Sequence, residues 1–313
     1  MRVTFLGNAP SSVSSLEALA ASSHDVSLVV TRVARPAGRG NALVRTPVAE
    51  AAERLDLPLV ETETVKTGGG LTALRASEPD ALAVVAYGEI LPSEVLEVPS
   101  VAPVNVHFSL LPKLRGAAPV QRAIMEGERA TGVTTIRMDA GMDTGPILLQ
   151  AVEPIRAEDD AGTLGERLAV LGGRLLVETL DELEGGRLEE RRQDDAAATY
   201  APKVRPEDRI IDWDLPAERN ALLVRAMAPE PAAQTTFRSK ILKVFRASAL
   251  EGSDERPRTP GEIVVASNEG LAVATGGGLL RLDELAPEGR KRMSGADFVR
   301  GYRPQVGEIL GGA

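Results

Sequence analysis

The chain has 313 residues, 43% of them hydrophobic and 26% charged, with a net charge of −9 and no cysteine. That length supports about two domains with sizeable cores. The absence of cysteine excludes disulfides, zinc–thiolate sites and thiol nucleophiles, and the acidic balance argues against a general nucleic-acid binder.

Residues 2–6 (RVTFL), 26–31 (VSLVVT), 81–87 (ALAVVAY) and 104–108 (VNVHF) read as strands buried on both faces, because their apolar runs are continuous rather than alternating. Residues 11–21, 47–56 and 70–78 read as the intervening helices, the second opened by Thr46 as cap and Pro47 in the first turn. A helix over 118–127, strands over 132–138 and 146–152 and a long helix over 161–184 follow. This rhythm predicts an α/β fold, a doubly wound, mostly parallel sheet of Rossmann-like type with right-handed crossovers. It assigns residues 1–189 to a first domain and the charged, loop-like stretch 190–206 to a linker. From 207 the texture changes. A helix over 216–227 precedes strand-like runs at 235–247, 261–267, 271–276 and 278–285, punctuated by Gly and Pro, which predict a small β-barrel (OB-like) domain over 207–313. No apolar stretch approaches the roughly 20 residues of a membrane span. The chain opens directly into a strand, so a soluble cytoplasmic protein is expected.

Charge is unevenly spread. Residues 207–313 carry 15 basic and 16 acidic side chains, whereas positions 26–49 hold Arg32, Arg35, Arg39 and Arg45 and no acid. Positions 32–46 are long for a strand-to-helix connection, which favours a functional loop, and arginine is the side chain that grips phosphate with a planar fork. Arg238, Lys240, Lys243 and Arg246 in the last third read equally well as a solvated β surface or as a backbone-following track.

The chemistry concentrates in PVNVHFSLLPKLRGAAP (103–119) and DAGMDTGP (139–146). Asn105 and His107, two apart on a strand, share a face, and Asp143 sits in a glycine-punctuated loop. An amide donor, an imidazole and a carboxylate can run acyl transfer without a covalent intermediate: the amide holds a developing oxyanion while the other two move protons. A lone buried histidine is ordinarily just hydrogen-bonded, and an Asp among glycines is ordinarily a turn residue; their coincidence with a polar Asn on a buried strand favours function. The only other histidine, His24, reads as a surface residue beside Asp25. The turn Gly7-Asn8-Ala9-Pro10 lacks G-x-G-x-x-G, which excludes a nicotinamide site. A ligand is still expected at the carboxyl ends of the strands, where His107 and Tyr87-Gly88 stand.

On Asn105-Val106-His107, Ser109-Leu110-Leu111-Pro112, Arg115-Gly116-Ala117-Ala118-Pro119 and Asp139 through Gly145, the chain resembles the folate-dependent formyltransferases. The insertion Arg35-Pro36-Ala37-Gly38-Arg39-Gly40 and the full second domain resemble the tRNA-directed branch. The resemblance implies a formyltransferase fold with 10-formyltetrahydrofolate as co-substrate, no metal, and the α-amine of methionine on initiator tRNA as acceptor. It implies Asn105 as oxyanion donor, His107 as a second donor governed by Asp143, and Asp143 as the proton carrier. Ser109, Leu110, Leu111 and Pro112, with Tyr87 and Gly88, would bind the folate. Arg35, Arg39 and Arg45 would bind tRNA, Arg39 foremost. Apart from the resemblance, a monomer is expected. Two other enzymes share these parts: a sugar-nucleotide N-formyltransferase and a hydrolase releasing formate from the same folate. A catalytically silent tRNA-binding module would not need the trio.

Overall fold

The computed structural model describes residues 1–37, 42–250 and 258–312. The elements run β1 (Arg2–Gly7), α1 (Val13–Ala20), β2 (Asp25–Arg32), β3 (Arg35–Ala37), β4 (Ala42–Val44), α2 (Pro47–Arg54), β5 (Leu59–Thr62), α3 (Gly68–Ala76), β6 (Ala81–Val85), α4 (Ser93–Leu96), β7 (Ala102–His107), α5 (Pro119–Met125), β8 (Ala130–Arg137), β9 (Ile147–Pro154) and α6 (Ala161–Glu184). The later part adds α7 (Ala217–Met227), β10 (Ala233–Phe237), β11 (Lys240–Leu250), β12 (Ile263–Ser267), β13 (Gly270–Ala274), β14 (Leu279–Pro287), β15 (Met293–Ser294) and α8 (Gly295–Tyr302).

Two compact units divide the chain: one holds 1–119, 130–154 and 165–202, the other 120–129, 155–164 and 203–313. The first unit is built on a seven-stranded sheet in the order β5-β2-β1-β6-β7-β8-β9. The first five strands are mutually parallel, β8 pairs antiparallel with β7, and β9 pairs antiparallel with β8. Leu6, Leu28, Val30, Leu74, Leu82, Val84 and Val95 form a buried core cluster, which is why the parallel strands read as unbroken apolar runs. Thr46 caps α2 as expected, its Oγ1 accepting from Ala49 N at 3.0 Å.

The connection 32–46 contains an unexpected hairpin, β3 pairing β4 from Arg35↔Val44 to Ala37↔Ala42. Strand β5 was also not anticipated: it is four residues long and half-buried throughout, so it carries no apolar run. The linker expectation of 190–206 meets a bonded segment. Arg191 and Ile147 exchange both backbone hydrogen bonds at 2.8 Å, and Arg115 N donates to Thr199 O while Ala201 N donates to Arg115 O.

The second unit carries an antiparallel sheet, β10-β11-β14-β13-β12, with β15 on β14. The run expected as one strand over 235–247 is a hairpin, because Arg238 (φ 50°) and Ser239 (φ 61°) turn the chain between β10 and β11. Both φ values are positive, as a two-residue hairpin turn matching strand twist requires. Register shifts at Val244–Ala247 and Ile263–Val265 mark bulges that bend the sheet.

Candidate active site

Strand β7 aligns Asn105 with Val84 of β6 and with Ile136 of β8, and aligns His107 with Thr134. Two residues apart in an extended strand, both side chains reach one cavity of about 480 Å³ at the carboxyl ends of β6 and β7. Tyr87 and Gly88 line it as well, together with Glu89, Ile90 and Leu91, and the facing wall is Met138, Asp139 and Gly141 to Asp143. Among the described residues no protein group hydrogen-bonds the Asn105 amide, so it stays available to a ligand.

His107 is almost fully buried. Its Nε2 lies 3.0 Å from Leu114 O, and a carbonyl only accepts, so Nε2 carries the proton. Nδ1 is then the working nitrogen, 3.5 Å from Asp143 Oδ2. That same oxygen accepts from Gly116 N at 2.8 Å. Asp143 takes a left-handed φ of 57°, in a loop closed by Asp139, whose Oδ1 accepts from Gly141 N at 3.0 Å and Thr144 Oγ1 at 2.7 Å. Two glycines are sterically required here. A Cβ on Gly145 would stand 1.8 Å from Arg137 O, and one on Gly116 (φ 122°) 2.7 Å from Ala201 O.

The structure separates the expected folate residues into two groups. Tyr87 and Gly88 line the cavity; Ser109, Leu110, Leu111 and Pro112 do not. Ser109 is buried, its Oγ donating to Lys113 O at 2.6 Å and its carbonyl accepting from Thr134 Oγ1 at 2.7 Å. Leu111 packs with Ile136 and Ile147. This turn supports the end of β7 from behind.

Asn8, which sequence reasoning passed over once the nicotinamide motif failed, organises the neighbouring crevice. Its Oδ1 accepts from Thr31 Oγ1 at 2.9 Å and Arg32 N at 2.8 Å, and its Nδ2 donates to Tyr87 O. One amide thus ties the ends of β1, β2 and β6, and the open space lies one strand further along, between β6 and β7.

Of the three expected tRNA residues, Arg39 lies outside the described residues. Arg35 is exposed and pairs with Glu63 at 3.0 Å. Arg45 is held by Glu53 at 2.7 Å and by a two-pronged contact with Glu61, which push its pKa well above the usual arginine value. That pairing occupies the fork expected to meet phosphate. In the second unit Arg238 is likewise engaged, by Glu308 at 2.8 Å and the Phe237 ring.

His24 is buried, not on the surface as expected: its Nδ1 accepts from the Met1 α-ammonium at 3.2 Å and its Nε2 faces Asp181 at 3.4 Å. With Asp181 and Glu184 it forms the one His/Asp/Glu cluster of metal-ligand type among the described residues, and the Met1 ammonium pairs with Glu184 there at 2.9 Å.

Comparison with known proteins places this geometry. Residues 1–180 match the formyl transferase model and residues 203–303 match the formyl transferase C-terminal domain. A methionyl-tRNA formyltransferase of Acidithiobacillus ferrooxidans is 46% identical over 283 residues, covering 90% of each chain. Another from Pelotomaculum thermopropionicum is 42% identical across 100% of this chain and 99% of its own. The chain belongs to the methionyl-tRNA formyltransferase family. Aquifex aeolicus HypX, solved in complex with tetrahydrofolic acid, matches the fold with a TM-score of 0.64 at 20% identity over 98% of this chain. This chain spans 48% of that protein's length. The family supplies an enzyme of formyl transfer with a folate-derived donor.

Proposed function

We propose that this enzyme moves the formyl group of 10-formyltetrahydrofolate to the free α-amine of methionine carried by initiator tRNA. One observation carries the reading: an unpaired amide, a ring nitrogen and a carboxylate line a single cavity, the last two 3.5 Å apart, in a chain matching methionyl-tRNA formyltransferases along nearly its whole length. The acceptor amine, held by its ester below the pKa of about 7.7 of a free α-amine, is in good part neutral and nucleophilic at neutral pH, so the main barrier lies in the tetrahedral adduct. As the amine nitrogen bonds to the formyl carbon, the carbonyl electron pair moves to oxygen, where the Asn105 amide donates to it. The proton released by the new C–N bond passes to His107 Nδ1 beside Asp143. From that pair it reaches the folate nitrogen as the old C–N bond breaks, restoring the carbonyl. The products are formylmethionyl-tRNA and tetrahydrofolate.

The donor lies along Tyr87 to Leu91 and Asp139 to Asp143, the segments that face the cavity, while Ser109 to Pro112 set the position of His107. Arg39 is the chief contact with the acceptor RNA, with Arg35 beside it in sequence. All reacting groups belong to one chain, which suits a monomer. The acceptor, a charged initiator tRNA, belongs to translation, so the work is cytoplasmic; among the described residues no helix is long and apolar enough to cross a membrane.

The test is formyl transfer from labelled donor to initiator methionyl-tRNA, elongator methionyl-tRNA and an amino-sugar nucleotide side by side. Turnover is expected on the initiator species alone. Asn105→Ala should lower kcat by about 100- to 1000-fold with unchanged tRNA affinity. Equal turnover by mutant and parent overturns the assignment.

A further inference from the structure

We infer that Gln193 is a positioning residue of the formyl-transfer site, acting through the backbone that carries Asp143. It stands in the stretch expected as a linker, yet it is almost fully buried within the first unit. Its carboxamide is fully used. Nε2 donates to Asp143 O at 2.8 Å and to Gly145 O at 2.7 Å. Oε1 accepts from Arg115 Nε at 3.1 Å and from the Arg115 terminal nitrogen at 2.9 Å, and that nitrogen also reaches Asp195 at 2.8 Å.

The arrangement has a physical logic. Asp143 holds a left-handed backbone conformation that an L-residue disfavours without support, and contacts from outside the loop hold it there. Two donors from one amide pin the carbonyls on either side of Thr144. The Arg115 guanidinium, buried beside the amide oxygen, polarises it and strengthens both outgoing bonds. Arg115 also connects directly to the reacting carboxylate, because the next residue, Gly116, donates its N–H to Asp143 Oδ2 at 2.8 Å. One unit therefore holds Asp143 from the main-chain side through Gln193 and from the carboxylate side through Gly116. Only an uncharged carboxamide does this. A carboxylate would satisfy Arg115 but repel both carbonyls, and a thioether would serve neither.

The inference rests on the proposed reaction, so the experiment separates the two. Gln193→Glu, Gln193→Met, Asp143→Asn and the doubles with Asp143→Asn are assayed for formyl transfer and thermal midpoint. In the Asp143 parent, both Gln193 variants should lose about 10- to 100-fold in kcat, the range for residues that orient a reacting group from behind. KM for the folate donor should change less, and Gln193→Glu, which keeps the Arg115 pair, should melt within a few degrees of the parent. In the Asp143→Asn background the same substitutions should cost almost nothing further, because the group they position is gone. Undiminished kcat in both variants, or the same fold loss with and without Asp143, overturns the inference. Full activity of Asp143→Asn overturns the reaction assignment instead.

Discussion

At the residue scale, the site depends on which nitrogen of one imidazole is free. The sequence shows Asn105 and His107 two apart on a buried strand, and that spacing alone puts them on a common face. It does not show that Leu114 O takes the Nε2 proton, which leaves Nδ1 for chemistry. Nor does it single out Gln193, because the local signal there is a polar residue in a charged stretch, indistinguishable from its exposed neighbours. Tyr87 supplies a separate expectation. Burial first, then the nearby Glu89 charge, pushes its phenol up from 10.0 to about 12. The unfolded chain ionises this group near pH 10 and the fold only near 12, so the unfolded state binds fewer protons in that window. Its contribution to stability is complete below pH 10 and is lost as pH rises toward 12. Tyr87→Phe should therefore show a shallower fall in urea midpoint across that window than the parent, and parallel curves would refute the shift.

Elements were legible in proportion to how much apolar surface each buries. The parallel strands β1, β2, β6 and β7 announce themselves as continuous apolar runs, and α6 spans the residues its periodicity outlines. Strand β5 is short and only half-buried and β4 of the hairpin is exposed, so their pairing comes from neighbours rather than from local pattern. The β10–β11 turn escaped notice for a different reason: Arg238 and Ser239 adopt positive φ without the Asn or Gly that usually signals it. Arg238 has compensation in Glu308 and the Phe237 ring, whereas Ser239 has none of that kind. Ser239→Gly should raise stability by roughly 0.5–1 kcal/mol, read as an increase in thermal midpoint without loss of activity. A lowered midpoint would contradict that account of the turn.

For the whole molecule, the division into units is less linear than the composition suggests. The change in texture near 207 is real, yet the second unit also claims residues 120–129 and 155–164. The contacts that recruit them are specific. Arg122 pairs with Asp208 at 2.7 Å, and Arg225 donates to Asp159 O at 2.6 Å and to Arg156 O at 2.7 Å. Composition cannot reveal such a division, because each stretch is an ordinary helix or turn by its own residues. A fragment beginning at residue 203 would lack these partners. It should show a broad, weakly cooperative urea transition, whereas a sharp transition matching the intact chain would show that those segments are dispensable.

The carbonyls of Asp143 and Gly145 take their donor from Gln193, about fifty positions downstream. During synthesis the cavity-lining strands emerge first, but the loop bearing the acid has its bonds to Asp139 and Gly116 without those to Gln193 until that later stretch has left the ribosome. A newborn chain shorter than this holds every reacting side chain but lacks the amide that spans the carbonyls of Asp143 and Gly145. Full competence therefore arrives late in translation, the process this enzyme itself serves.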